Sequence, residues 1–335
     1  MEKKRITIKD VAEKSGYSIA TVSKALNGVD VVKPETKRAI QEVADQLNYI
    51  PNLMGQQLKT GKTKMIGIYT NRIGGSYFNE LINGAINVLQ PQGFGINILV
   101  SENRETILSH LFGNVVDGAI IIEEVLQKKD IELIKSKGIP VVFINKVVYS
   151  KMVGSVVFDS FDKGFFVGNY LMQQGHRKIG YIRGQEEIYD NTERFAGLVQ
   201  SLTRKKITYD ERYTIIGNFV ESDSYQNTKV FLAEQGTDLP TALVAANDES
   251  AIGAMKAIQE YGLNIPADIS IIGFDDIDLL QYIHPQLTTI RNAASDQGYE
   301  AATLLLNLII GEATGEIIEV KGELIIRETV REIGV

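Results

Sequence analysis

From Met65 onward, short runs rich in β-branched residues alternate with longer stretches of helical periodicity, and this alternation most constrains the fold. The runs MIGIYT, INILV, DGAIII and PVVFIN fall before residue 150; KIGYI, YTII, TALVAA and ISIIGF follow it. Helix-like stretches such as YFNELINGAINVL and SAIGAMKAIQEYG lie between them. A continuously apolar strand is buried on both faces, and amphipathic helices supply the cover. The pattern predicts an α/β core with parallel sheets. Two series of runs predict two similar lobes within residues 65–335. One spans about 65–160 and 291–322 and the other about 161–290 and 323–335, with the late segments crossing back between them. Ligands in such folds bind outside the carboxyl ends of the strands.

Residues 1–50 have a different texture, that of three short helices. Thr7 caps the first and precedes Asp10 in a Ser/Thr-x-x-acid pattern, Val11 and Ala12 face inward, and Gly16 ends it. Ser18 caps the second, Val22 and Leu26 form its buried stripe, and Asn27-Gly28 stops it. Pro34 sits in the first turn of the third, whose apolar face is Ile40, Val43 and Leu47. Two helices joined by a tight glycine turn, with a third in support, are a helix-turn-helix layout. The second helix, within GYSIATVSKALNG, carries small hydroxyl and methyl groups where a surface helix ordinarily shows Glu and Lys.

Charge separates the two regions. Residues 1–64 hold 12 Lys/Arg against 7 Asp/Glu, while the remainder holds 23 against 35, so the net −7 conceals a basic module on an acidic body. Such a module suits an anionic partner. Between the regions, PNLMGQQLKTGKTK (residues 51–64) reads as a brief helix from Pro51 to near Leu58, followed by a linker. Gly55 costs such a helix about 1 kcal/mol relative to Ala. So short a helix is marginal in water and is predicted to form against a partner.

Bulk properties exclude several classes. A chain of 335 residues implies two or three domains, and 44% hydrophobic with 23% charged residues is a globular composition. No apolar run approaches the ~18 residues of a membrane span, and no apolar segment follows the charged MEKKRITIKD start, so a cytoplasmic protein is expected. The absence of cysteine excludes disulfides and thiolate metal sites. The three histidines, at 110, 176 and 284, are scattered; neither a metal site nor a catalytic triad is expected. NRIGGSYF lacks the lysine and spacing of a phosphate-binding loop. No cofactor and no enzymatic activity are expected.

The stretch IKDVAEKSGYSIATVSKALNG followed by VKPETKRAIQEVADQLNYIPN resembles the DNA-binding headpiece of the LacI/GalR family of bacterial repressors. The body agrees in order and spacing: DGAIII, IPVVFIN, QQGHRKIGYI, ERFAGL, ALVAANDESAIGAMKAI, PADISIIGFDDI, HPQLTTIR and LIIRET. The resemblance covers nearly the whole chain. It implies a dimeric or tetrameric repressor with a headpiece (1–50), a hinge helix (51–64) and a periplasmic-binding-protein-like core (65–335). Such a repressor binds a palindromic operator in double-stranded DNA and answers to a small effector, a sugar or sugar derivative, that usually releases it.

In a helix-turn-helix, the second helix enters the major groove with its first residues at base edges. Starting that helix at Ser18 puts Ile19 and Ala20 at the DNA-facing tip, where small apolar groups permit close approach and touch thymine methyls. Lys24, one turn on, is the charged reader; arginine is common there in the family. Thr21, Ser23 and Asn27 are phosphate partners, and Thr7 and Lys59 complete the set. Tyr17, where the family usually has a small aliphatic residue, is expected to pack between helices with its hydroxyl free for a phosphate. By resemblance Leu58 is an apolar wedge in the minor groove.

A sugar needs planar donors and acceptors for its hydroxyls and an aromatic face for its C–H surface. By resemblance, Arg194 and Asp275 form the clamp with Asn247 beside them, Asp159 completes the ring, and Tyr77, Phe78 and Phe219 supply aromatic faces. One of Tyr77 and Phe78 is expected to be core instead. Asp248 is expected as a helix N-cap, Asp276 and Asp278 as solvated charges, and His176 as structural. SENRETILSHLFGN is shorter than the helical segment the family usually places there. Three other readings compete: an exported sugar-binding protein, a sugar-acting enzyme, and a catabolite-type global regulator with a phosphoprotein corepressor. The basic headpiece opposes the first, and the lack of a paired acid or nucleophile opposes the second. Tighter operator binding with a phosphoprotein would mark the third.

Overall fold

The structure is a computed structural model and describes residues 6–27, 31–50, 61–71, 73–122 and 126–334. It divides into two compact units, Met1–Lys62 and Thr63–Val335.

The first unit contains helices α1 (Ile8–Ser15), α2 (Ile19–Leu26) and α3 (Pro34–Gln46). Gly16, at φ 74°, provides the left-handed turn out of α1 that a side chain would resist. Val11, Ala12, Val22, Ile40 and Ala44 form the core, with Leu26, Val43 and Leu47 half-buried around it. A core this small contributes only about 3–5 kcal/mol net. Residues 51–60 of the expected 51–64 hinge, Gly55, Leu58 and Lys59 among them, lie outside the described residues.

The second unit holds two six-stranded sheets. The first contains β1 (Met65–Thr70), β2 (Gly95–Val100), β3 (Gly118–Ile121), β4 (Val141–Ile144), β5 (Val153–Phe158) and β11 (Ile317–Val320), in the order β11-β5-β4-β3-β1-β2, all parallel. The second contains β6 (Ile179–Arg183), β7 (Thr214–Ile216), β8 (Ala242–Ala245), β9 (Ser270–Asp275), β10 (Thr288–Arg291) and β12 (Glu323–Ile325), in the order β12-β10-β9-β8-β6-β7. Its one antiparallel pair is β10 with β12. The central strands GAII, VVFI and ALVA are buried at every position, as continuous apolar runs require.

Helices α4 (Gly75–Leu89), α5 (Arg104–Phe112), α6 (Lys128–Lys137) and α11 (Ala294–Ile310) belong with the first sheet. Helices α7 (Ser160–Gln173), α8 (Tyr189–Arg204), α9 (Glu221–Gln235) and α10 (Asp248–Glu260) belong with the second. The short SENRETILSHLFGN segment still forms a helix, α5, capped by Asn103 Oδ1, which accepts from the Glu105 amide (2.8 Å), and buried through Ile107, Leu108 and Leu111. The chain passes between the sheets three times: from β5 to α7, from β10 to α11, and from β11 to β12. Gly164 lets α7 cross α8 in backbone contact, because a Cβ there would overlap the Arg194 carbonyl oxygen. That contact fixes where Arg194 projects. No helix among the described residues is long and apolar enough to cross a membrane.

Candidate DNA-reading face and effector cleft

In the first unit, the Ser18 hydroxyl caps α2 by accepting from the Thr21 amide (3.1 Å), and it lies 2.9 Å from the Thr21 hydroxyl. Val22 is fully buried beneath, while Ile19, Ala20 and Lys24 are exposed, Ile19 by 46%. An exposed isoleucine at the first turn of a helix has no core to join, and it sits beside unsatisfied helix-terminal amides that favour anions. Ala20 and Lys24 stack one turn apart on this face. Thr21 and Ser23 are half-buried, and the exposed Asn27 reaches back to Ser23 (3.3 Å). Thr7 is spent on α1: its amide and hydroxyl both donate to Asp10 Oδ2, at 2.7 and 2.6 Å. Tyr17 differs from expectation. It is 38% exposed and stands beside Ser18 and Ile19 instead of packing between helices, because Val11, Val22 and Ile40 already fill that space.

In the second unit, a cavity of about 240 Å³ opens at the carboxyl ends of the strands, between the two sheets. The first lobe lines it with the start of α4 (Tyr77, Phe78) and the end of β4 (Ile144, Asn145). The second contributes Asp190 and Arg194 of α8, Phe219, Asn247, Asp275 at the end of β9, and Asn292 after β10. Arg194 is almost completely buried and stacks 4.5 Å from the Phe274 ring. Its Nη1 donates to the Ala246 carbonyl. Its Nη2 lies 3.9 Å from both Asp190 Oδ1 and Asp275 Oδ1, a spacing too long for hydrogen bonds. The guanidinium is thus aimed between two carboxylates it does not fully engage.

Burial pushes the Asp275 carboxyl up to about 7; Arg194 opposes the rise and the Asp190 charge reinforces it. The Asn292 amide faces that carboxylate and pulls the value back without reaching hydrogen-bond geometry. Asp248 is held well above the ordinary carboxylate range by burial, with the Asp275 charge adding to it. Backbone strain gathers at the same place. Phe219 has φ 62° and Asp275 φ 117°, conformations that cost side-chain-bearing residues on the order of 1–3 kcal/mol each.

A hydrogen-bonded relay joins the lobes across the cleft. Asn145 Oδ1 accepts from the Phe158 amide (3.1 Å) and Gln297 Nε2 (2.8 Å), both in its own lobe. Its Nδ2 donates to the Tyr77 hydroxyl (3.2 Å) and, across the cleft, to Asp190 Oδ2 (2.6 Å). Asp190 Oδ1 accepts from the Ser160 hydroxyl (2.6 Å), and Tyr77 donates to Gln297 Oε1 (3.0 Å). Tyr77 is therefore a cleft residue with a fixed hydroxyl. Phe78 lines the cavity and also packs on the first-lobe core.

Two expected residues have other duties. Asp159 does not line the cavity: at the β5-to-α7 crossing its Oδ1 accepts from the Gly322 amide (3.0 Å) and its Oδ2 pairs with Lys163 (3.3 Å). It ties two interlobe crossings together. Asn247, not Asp248, caps α10: its Oδ1 accepts from the Ser250 amide (3.0 Å), and its Nδ2 donates to the Phe219 carbonyl (3.2 Å). Asp248 is buried one residue on, accepting from Thr289 Oγ1 (2.6 Å) and the Ile277 amide (3.1 Å). His176 is buried between Thr241 Oγ1 (2.9 Å) and the Arg331 carbonyl (3.2 Å), a structural position. Asp276 is no solvated charge: it is nearly buried and pairs with Arg291 (2.9 Å) and Arg327 (2.6 Å). Sequence reasoning missed Asp190, Asn145, Gln297 and Asn292. Asp190 had a signal, since it lies four residues before Arg194 on one helix face.

A helix-turn-helix unit with an exposed small-residue recognition helix, joined to a two-lobed core with a polar and aromatic cleft, defines a ligand-linked DNA-binding regulator. Comparison with known proteins agrees. Residues 7–52 match the family described as bacterial regulatory proteins, lacI family, and residues 169–330 match a periplasmic binding protein-like domain. The chain is 31% identical over 331 residues to the HTH-type transcriptional repressor PurR of Pectobacterium carotovorum, covering 97% of this chain and 96% of that one. PurR of Haemophilus influenzae (strain PittEE) is 32% identical over 338 residues, covering 98% and 99%. Among solved structures, the lac repressor dimer bound to operator and the anti-inducer ONPF superposes with a TM-score of 0.85 at 27% identity, over 98% of this chain and all of that one. A LacI family regulator from Enterococcus faecium with bound ribose gives a TM-score of 0.73 at 27% identity, over 81% of this chain and all of that one. The chain belongs to the LacI family: it is a DNA-binding transcriptional repressor and not an enzyme.

Proposed function

We propose that this repressor is governed by a small effector, a sugar or sugar derivative, held in the cleft between the core lobes. The observation that carries the proposal is the Arg194 guanidinium, buried between Asp190 and Asp275 yet 3.9 Å from each, with its Nε free of any partner among the described residues. A ligand hydroxyl placed among them satisfies donors and acceptors that the protein alone leaves open. Tyr77, Phe78 and Phe219 provide the apolar faces. The solved relative with bound ribose supports a carbohydrate.

Two chains act as a homodimer on a palindromic operator, in the cytoplasm where the chromosome lies. Ile19, Ala20 and Lys24 read the major groove; Tyr17, Ser18, Thr21, Ser23 and Asn27 flank them toward the phosphates; and Leu58 of the 51–64 hinge wedges the minor groove beside Lys59. Effector binding engages Asp190, which also holds Asn145 of the opposite lobe, and so alters the relation of the lobes. Release of DNA follows as a difference in effector affinity between the DNA-bound and free forms. The test is a thermal-shift screen of the full-length chain against pentoses, hexoses, disaccharides, sugar phosphates and nucleobases. A sugar is expected to raise Tm by mass action. Stabilisation by a nucleobase alone, or by no compound, overturns the carbohydrate reading.

A further inference from the structure

A second cavity, of about 260 Å³, opens at the amino ends of β6 and β7, the opposite end of the second sheet from the effector cleft. Its more deeply buried lining is apolar, with Ile179 and Leu202 buried and Ile207 half-buried. Three cations line it, Arg177, Lys178 and Arg212, against two acids, Asp210 and Asp238. Both acids are engaged. Asp238 Oδ1 accepts from Lys178 Nζ (2.7 Å) and the Tyr213 hydroxyl (3.0 Å), and Asp210 Oδ2 pairs with Arg212 Nη2 (2.6 Å).

Arg177 is the cation left over. Its Nη1 donates to the Met172 and His176 carbonyls, both at 2.9 Å, where α7 turns toward β6. Those two bonds fix the guanidinium, and no carboxylate among the described residues accepts from its Nε or Nη2. Along that remaining edge a guanidinium presents two parallel N–H groups, the fork that a carboxylate or phosphate accepts side-on. A merely solvated arginine keeps its rotamer freedom; this one has given it up beforehand, so an anion that binds it loses less entropy. The neighbouring Lys178–Asp238 and Arg212–Asp210 pairs are largely exposed, and exposed pairs contribute little, so Lys178 can turn to a ligand at small cost.

We infer that this cavity is a second ligand site, which takes a small organic oxyanion: a phosphate or carboxylate held by the Arg177 fork and Lys178, on an apolar body seated against Ile179, Leu202 and Ile207. The site is separate from the effector cleft and does not depend on the carbohydrate reading. Occupancy ties the turn before β6 to the loop before β7, so the anion stabilises the second lobe from the end that the effector does not reach.

The experiment uses the full-length protein in a buffer free of phosphate and carboxylate. The probes are phenyl phosphate, benzoate, inorganic phosphate and benzyl alcohol, followed by thermal shift and by titration calorimetry. At least one of phenyl phosphate and benzoate is expected to raise Tm, and to bind more tightly than both inorganic phosphate, which lacks the apolar body, and benzyl alcohol, which lacks the charge. Arg177→Gln is expected to weaken that binding at least tenfold. Thr208→Trp, at an exposed residue that lines the cavity, is expected to block it while leaving Tm without ligand unchanged. Binding by neither organic anion overturns the inference, and so does benzyl alcohol or inorganic phosphate binding as tightly. An affinity unchanged in both Arg177→Gln and Thr208→Trp places the anion elsewhere and overturns it too. Should Arg177→Gln not fold, Arg177→Lys, which keeps the charge without the fork, carries the comparison: tenfold weaker binding upholds the inference, and unchanged binding overturns it.

Discussion

Replacing Asp275 by asparagine should stabilise the ligand-free repressor, by an amount that grows as pH rises from about 4 to about 7. In the folded protein, burial raises this carboxyl to about 7, and its side chain is only 14% exposed, so solvent screening is slight. In the unfolded chain it titrates near ~3.9. Between these values the folded state binds more protons than the unfolded state, so stability declines as pH rises from about 4 to about 7 and is level beyond. About three units at 1.36 kcal/mol each give a penalty on the order of 4 kcal/mol at pH 8. The carboxamide of the Asp275→Asn variant has the same outline and no charge, and so escapes that penalty. Wild type and Asp275→Asn should melt together near pH 4 and separate on the order of 5–10 °C in favour of the variant at pH 8. Melting curves by circular dichroism at matched ionic strength measure this. A variant that melts below wild type at pH 8, or a difference independent of pH, refutes the assignment of Asp275 as a charge kept in an unfavourable site for a ligand.

Three other substitutions separate the parts of the mechanism. Asn145→Asp sets a carboxylate against Asp190 at a 2.6 Å contact and should lower Tm increasingly as pH rises, whereas Asn145→Asp with Asp190→Asn restores an amide–carboxylate pair and most of the loss; a double variant no better than the single would exclude the interlobe hydrogen bond. Lys24→Ala, on an exposed face, should leave Tm unchanged and weaken specific DNA binding by about 1–3 kcal/mol in an anisotropy titration; an unchanged Kd contradicts its role as reader. Leu58→Ala should weaken operator binding far more than binding to random duplex, and equal losses would remove the wedge.

Much of this architecture is legible in the sequence because parallel strands buried on both faces advertise themselves as apolar runs. Asp275 ends such a run, where α/β folds place their ligands, whereas Arg194, inside α8, is reached only through the family resemblance. The same logic fails at Asp159, which also follows a strand. There the chain crosses to the other lobe, and the Gly322 amide of a crossing more than 160 residues later captures the carboxylate. Asn145, Gln297 and Asn292 escape for a related reason. Their pairing, or lack of it, depends on how α11 returns to the first lobe, a distant event with no local period. Tyr17 reads as a packing residue because tyrosine is mostly apolar; the small core of Val11, Val22 and Ile40 leaves it no room.

We propose that occupancy of the cleft controls DNA binding. That control is tested most directly by the affinity of the full-length repressor for a palindromic site obtained by in vitro selection, measured by fluorescence anisotropy with and without the stabilising sugar at fixed salt. At least a tenfold weaker Kd is expected with the sugar bound, and no change on adding sugar when Arg194 is replaced by Ala. An operator affinity that stays the same while the sugar saturates the cleft would contradict it.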